Sequence, residues 1–228
     1  MIHRGVARHV VAATLFVALV TAVLAVYVGA RARGTEGSRC ERFAAASVQR
    51  EQAVTGSGDR VLVIGDSYSA GLGLDDIVSS WPSRLAGRVH VAGFSGSGFS
   101  RHASGCSDVS FATRGREAIT PGTSLVVVEG GLNDFDQPSA DIRAGFERLM
   151  RSLDGHRVVV VGPPSAPSRA TAVPRVDAQL AALSAEYGVA YVPTSGWDLP
   201  YLDDRLHLTP AGHRQFGDAV ADAIAALS

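Results

Sequence analysis

The sequence predicts an α/β domain, a three-layer α/β/α sandwich around a five-stranded parallel sheet. Three observations carry that prediction. Five short runs, Val61–Ile64, Val89–Phe94, Ser124–Val128, Val158–Val161 and Val189–Val192, are apolar and nearly continuous, as in strands buried on both faces. Helical patterns lie between them, at Ile77–Leu85, Ala140–Leu153, Val173–Tyr187 and Pro210–Leu227. Strand and helix alternate along the chain, which parallel sheets covered by helices require.

The helices differ in how plainly they are written. In the second, Ile142, Phe146, Leu149 and Leu153 recur at helical spacing and define one apolar face. Pro210 suits the first turn of the last helix, where its missing N–H costs nothing. Thr55-Gly56-Ser57-Gly58 reads as a break, so the α/β domain is expected over residues 59–228.

The residues before it are of another kind. Val10 to Ala30 contains no charged residue, and twenty-one residues at helical rise cover about 32 Å, enough to cross a bilayer core. Residues 1–30 therefore read as a signal-anchor or transmembrane segment. A cleaved signal peptide is the alternative, since Arg4 and Arg8 precede the run and Val28-Gly29-Ala30 resembles a cleavage site. A buried soluble helix is a third reading. Arginines flank both ends, so the positive-inside rule does not orient the span. Residues 31–58 read as a linker with a short helix from Cys40 to Val54. Cys40 and Cys106 are the only cysteines, and after an export-like segment they are expected to form one disulfide. The chain is thus expected at the cell membrane with its α/β domain outside the cytoplasm, or secreted if the segment is cleaved.

Composition narrows the function classes. The 228 residues carry a formal net charge of −1, which gives no global attraction to nucleic acid. No His, Cys and carboxylate cluster has metal-ligand spacing, no Gly-Lys-Ser/Thr phosphate loop is present, and the dinucleotide fingerprint is not met. No cofactor and no metal are expected. A monomer is expected.

Polar motifs sit where the predicted strands end, which is where open α/β sheets build their sites. The first strand runs into Gly65-Asp66-Ser67, the second into Gly93-Phe94-Ser95-Gly96-Ser97-Gly98, the third into Glu129-Gly130-Gly131-Leu132-Asn133-Asp134. After the fifth comes Asp204-Arg205-Leu206-His207. A serine hydroxyl is a poor nucleophile until a base removes its proton, and histidine can accept it near neutral pH. A carboxylate on the second ring nitrogen fixes the tautomer and stabilises the imidazolium. Of the seven histidines only His207 has an aspartate three residues earlier, a spacing one local turn can present. Asp203 is the competing carboxylate, at a spacing one residue longer. Ser67, His207 and Asp204 thus read as nucleophile, base and orienting acid. Asp66 reads as a turn former, Asp134 as a residue that fixes its loop and His213, in the last helix, as structural.

The four blocks resemble those of the SGNH hydrolases, also called the GDSL esterase/lipase family. Gly65-Asp66-Ser67-Tyr68-Ser69 matches the first block, with Tyr68 where the eponymous leucine often stands. Gly96 matches the glycine of the second block, with Gly98 as competitor. Gly131-Leu132-Asn133-Asp134 matches the third and Asp204-Arg205-Leu206-His207 the last. The resemblance spans about Arg60 to Leu227. It implies the flavodoxin-like fold, hydrolysis of a small-molecule, lipid or glycan carboxylic ester through an acyl-enzyme, and an oxyanion hole made by the backbone N–H groups of Ser67 and Gly96 and the side-chain amide of Asn133. Transfer of an acyl group to a sugar acceptor, and a catalytically silent membrane-anchored binding module of the same fold, are the alternatives.

Overall fold

The computed structural model describes the backbone of residues 3–227 and the side chains of residues 19–25, 34–35 and 37–227. The chain divides into two compact units, Met1–Glu41 and Arg42–Ser228. Helix α1 spans His3–Gln52 without a break, so it also covers residues 31–38, read from the sequence as a linker. Among the described residues no helix is long and apolar enough to cross a membrane. Most side chains of the expected span, Val10 to Ala30, lie outside the described residues. Those of Leu19, Val20, Val23 and Leu24 are exposed.

The second unit holds the sheet. Strands β1 (Arg60–Gly65), β2 (Arg88–Gly93), β3 (Thr123–Glu129), β4 (Val158–Val161) and β5 (Ala190–Val192) pair in parallel in the order β2-β1-β3-β4-β5. Side chains of a strand alternate between faces, and the two cores follow that alternation. Val61, Val63, Val89, Val91, Val127, Val159 and Val161 pack on one face with Trp81, Phe216 and Val220. Leu62, Ile64, Val126, Val128, Val158 and Val160 pack on the other with Phe111, Phe146, Leu149, Leu180 and Leu183. Helices α3 (Phe111–Ala118), α4 (Ser139–Ser152) and α5 (Val173–Glu186) therefore cover one side, and α6 (Pro210–Ala225) the other.

Two helical expectations change. Ile77–Leu85 is not one helix but two 3₁₀ turns, Ile77–Ser79 and Trp81–Arg84. Pro82 supplies no N–H and disfavours α geometry at the residue before it, so a continuous helix cannot pass. Asp76 caps the first turn by accepting from the Val78 N–H at 3.0 Å. The helix α3 lies in a stretch for which the sequence suggested none.

What places the site is register. Gly65 pairs with Gly93 of β2 and with Glu129 of β3, and Glu129 pairs with Val161 of β4. The ends of the strands lie side by side, so the loops after β1, β2 and β3 emerge at one edge. With this strand order the crevice opens where neighbouring connections part to opposite faces, between β1 and β3.

Candidate active site

Ser67 is the first residue of a four-residue helix α2 (Ser67–Ala70) directly after β1. Asp66 is its N-cap: one carboxylate oxygen accepts the Tyr68 N–H at 3.0 Å, satisfying an otherwise orphan donor. The turn is this tight because Gly65 has no side chain. A Cβ there would lie 2.0 Å from the Ser69 Oγ and 2.9 Å from a Glu129 carboxylate oxygen. Ser67 is buried but keeps 6 % of its surface in contact with solvent.

The second oxygen of Asp66 accepts from the Asn133 Nδ2 at 3.1 Å, and the same nitrogen donates to the Ser97 carbonyl at 2.9 Å. One side-chain amide thus joins the loops after β1, β2 and β3. Asp134 adds a second tie: its carboxylate accepts the Phe99 N–H at 3.0 Å and the Ser100 N–H at 2.8 Å. The expected loop-fixing role of Asp134 therefore has a definite form. The geometry also separates the two candidate glycines. A Cβ on Gly98 would meet Asp134 at 2.5 Å, so Gly98 is needed for packing. Gly96 has φ +87°, and a Cβ there would meet nothing nearer than the Ser104 hydroxyl at 3.8 Å, so packing does not require a glycine there, whereas the backbone conformation favours one.

Among the described residues the backbone N–H groups of Ser67 and Gly96 have no hydrogen-bond acceptor. Both N–H bonds of the Asn133 amide are already occupied, so an oxyanion reaching Asn133 must displace either Asp66 or Ser97.

His207 and Asp204 meet directly. The His207 Nδ1 lies 2.6 Å from one Asp204 oxygen, while the other oxygen accepts the backbone N–H groups of Leu206 and His207, each at 2.9 Å. Four residues make this turn, with Arg205 in the left-handed region at φ +57°. The Leu202 N–H bonds the His207 carbonyl at 2.7 Å, and Tyr201 bridges Leu208 in antiparallel fashion, which closes the loop at its base. Thr209 then caps α6 by accepting from the Gly212 N–H at 3.1 Å. Asp203 is exposed and makes no bond to His207.

The two halves of the site touch through Tyr68. Its hydroxyl donates to the Leu206 carbonyl at 2.6 Å, and its ring centroid lies 6.5 Å from that of His207. Tyr68 also packs edge-on against His213, which is buried with its Nδ1 facing the Trp81 N–H at 3.4 Å. Burial, and then the charge of His207, push His213 down to about 4, so it stays neutral inside the core.

Burial also dominates the carboxyl groups beneath Ser67. It pushes Asp66 up to about 6, against the pull of the Tyr68 N–H and of the His207 and Arg114 charges. Asp134 is pushed up to about 7 by burial, against the pull of the Ser100 and Phe99 N–H groups. Glu129 lies far above the ordinary range, through burial first and then the nearby Asp66 charge. It accepts the Ser69 hydroxyl at 2.7 Å, the Trp81 indole N–H donates to the same hydroxyl at 3.0 Å, and its second oxygen has no partner. Asp204 behaves oppositely. Partial burial pushes it up, but the bonds from His207 and the two backbone N–H groups outweigh that and hold it at about 2.

Three contributors to this architecture were not read from the sequence. Arg114 of α3 donates to the carbonyls of Gly65 at 2.8 Å, Val109 at 3.0 Å and Ala92, and to the Ser97 hydroxyl at 2.8 Å. Burial lowers it to about 10, with Asp66 opposing. Nothing local distinguishes it from its exposed neighbour Arg116. Glu129 did leave a signal, as the one charge ending an otherwise apolar strand. The Asp66–Asn133 bond left none, because it joins residues 67 positions apart.

Cys40 and Cys106 are both disulfide-bonded, and neither is a free thiol. Among the described residues no group of three His, Cys, Asp or Glu side chains is placed to hold a metal ion.

Residues 63–215 match the family model of the GDSL-like lipase/acylhydrolases. No curated protein sequence matches the chain. Among solved structures, a carbohydrate acetylesterase from Sinorhizobium meliloti is similar at 20 % identity and a TM-score of 0.62, over 75 % of this chain and 100 % of that one. An aryl esterase from M. smegmatis is similar at 19 % identity and 0.62, again over 75 % and 100 %. A family two carbohydrate esterase from Clostridium thermocellum, in complex with cellohexaose, is similar at 14 % identity and 0.62, over 76 % and 65 %. At these identities the likeness is one of fold.

Proposed function

We propose that this chain, which belongs to the GDSL-like lipase/acylhydrolase family, cleaves carboxylic esters with Ser67 as nucleophile, His207 as general base and Asp204 as the group that orients the base. The observation that carries this reading is the 2.6 Å contact between His207 Nδ1 and Asp204. It fixes the proton on Nδ1 and leaves Nε2 with the lone pair that a base needs. Ser67 Oγ attacks the ester carbonyl and passes its proton to Nε2, and His207 returns that proton to the leaving alcohol. An acyl-enzyme remains, which water opens by the same steps in reverse roles.

Charge collects on the carbonyl oxygen in the tetrahedral state. The backbone N–H groups of Ser67 and Gly96 meet it without giving up a bond, because neither has another acceptor among the described residues. Asn133 joins as third donor by exchanging one of its two present bonds. Loss of one such donor costs about 100- to 1000-fold in rate.

Small esters, including acetyl groups on glycans, are the substrate class we favour, supported by fold neighbours whose names are acetylesterase and aryl esterase. Membrane attachment through the N-terminal segment, with the hydrolase domain facing outward, rests on the uncharged run from Val10 to Ala30.

A fluorophosphonate probe tests the assignment. Covalent labelling of the wild-type chain that disappears in Ser67→Ala is expected. Labelling that survives in Ser67→Ala moves the nucleophile elsewhere, and a folded wild type that takes no label favours the silent binding module.

A further inference from the structure

Beyond the ester site, a cleft of about 380 Å³ lies between α3 and the C-terminal half of α4. Its charged and hydroxyl lining includes Arg101, Asp108, Thr113, Arg116, Arg148 and Arg151. Arg114 and Arg116 are two residues apart, about 200° around the helix, so α3 turns one guanidinium to the sheet edge and the other away from it. Arg148 and Arg151 are three apart and share one face of α4.

The cleft is unbalanced. Asp108 is its only carboxylate, and it is engaged already: it binds Arg101 at 3.1 Å and accepts the Ser110 hydroxyl at 2.7 Å and the Ser110 N–H at 3.3 Å. Among the described residues Arg116, Arg148 and Arg151 have no ion-pair partner within 4.0 Å and no side-chain hydrogen bond. One terminal nitrogen of Arg148 is shielded from solvent and has no acceptor. Helix dipoles explain part of this, since Arg116 and Arg151 lie in last turns, where cations are favoured. They do not explain Arg148, nor why three unpaired guanidinium groups border one concavity on a chain whose net charge is −1. Like charges repel, and a shielded N–H without an acceptor is costly, so an anion with several oxygens is what the arrangement lacks.

We infer that this cleft binds a phosphate group, either as the free ion or carried on a small alcohol. A phosphate presents three or more acceptor oxygens, enough for three guanidinium forks at once, whereas a carboxylate presents two. Arginine matches phosphate geometry bidentately, which lysine does not. The loop that carries Arg101 and Asp108 also brings the Ser104 hydroxyl to 3.8 Å from where a Cβ of Gly96 would lie, but none of the cleft's arginines belongs to the proposed ester site.

Calorimetric titration of the full chain with sodium phosphate and with glycerol 1-phosphate, at ionic strength held constant with sodium chloride, tests this. Saturable binding is expected, weakened at least about tenfold in Arg148→Gln/Arg151→Gln. Hydrolysis of p-nitrophenyl acetate stays unchanged in that variant. Tighter binding of glycerol 1-phosphate assigns the site to a phosphomonoester, and equal binding assigns it to the free ion. Arg116→Gln, on the other helix, answers the same question if the double variant does not fold. Absence of saturable binding to either probe, or equal binding by wild type and variants, overturns the proposal.

Discussion

Asp66 and Asp204 stand at opposite ends of the candidate site, and their surroundings drive their carboxyl groups apart. Asp66 has no exposed surface and is held by one backbone N–H and one side-chain amide, from Tyr68 and Asn133. Burial lifts it to about 6. The Asp204 side chain is 47 % exposed, accepts three N–H groups within its own turn and sits at about 2. The Ser67 end is therefore built by long-range packing, with loops from three strands locked beneath it. The His207 end is a local turn whose Asp204 stays charged because water and nearby donors reach it. Preorganisation at one end and reliable ionisation at the other need opposite environments, and the two ends of the sheet edge supply them.

Substitution at each end separates these roles. The largest effect belongs to the exposed end: Asp204→Asn keeps the turn but destroys the acceptor that fixes His207, so kcat/KM for p-nitrophenyl acetate should fall about 1,000- to 10,000-fold. Urea unfolding should barely change, within about 1 kcal/mol, since exposed pairs contribute little to stability. A loss smaller than tenfold would mean that Asp204 is not the orienting acid.

At the buried end, Asp66→Asn places an amide N–H₂ where Asn133 now donates. Two donors then face each other, and Asn133 must shift. A fall in kcat of about 10- to 100-fold is expected, with KM near that of wild type, because the loss falls on the oxyanion and not on substrate capture. An unchanged kcat would show that the Asp66–Asn133 bond has no part in turnover.

The smallest effect concerns pH and the core behind Tyr68. Burial, and then the His207 charge, push His213 down to about 4 in the folded chain from about 6.5 unfolded, so the unfolded state takes up a proton that the core refuses. Its stabilising contribution is complete above about 6.5 and is lost as the pH falls toward 4, by up to about 3 kcal/mol. Urea unfolding at pH 7 and pH 4.5 should therefore differ by less in His213→Gln than in wild type, by about 2 kcal/mol. Equal differences in the two proteins would place the acid sensitivity elsewhere.

The contrast also explains what could be read from the sequence. The five strands were legible because buried parallel strands are continuous apolar runs, and the family blocks because they fall where those runs end. Asp204 and His207 were legible because their contact is local. The buried network was not. Asp66 was read only as a turn former, since its bond to Asn133 depends on β1 and β3 lying side by side. Arg114 looks like any surface arginine until α3 is packed on the sheet, and α3 itself was missed because its only strongly apolar side chain is Phe111. The two 3₁₀ turns that replace the expected helix were in principle visible, in Pro82.

The bond from the Tyr68 hydroxyl to the Leu206 carbonyl closes a loop of 138 residues. Contacts of such separation form late, after the entropy of the intervening chain has been spent. It ties the turn that carries Ser67 to the loop that carries His207, across all the strands between them. A nascent or partly unfolded chain carries Ser67 and His207 without the bond that ties their two segments together.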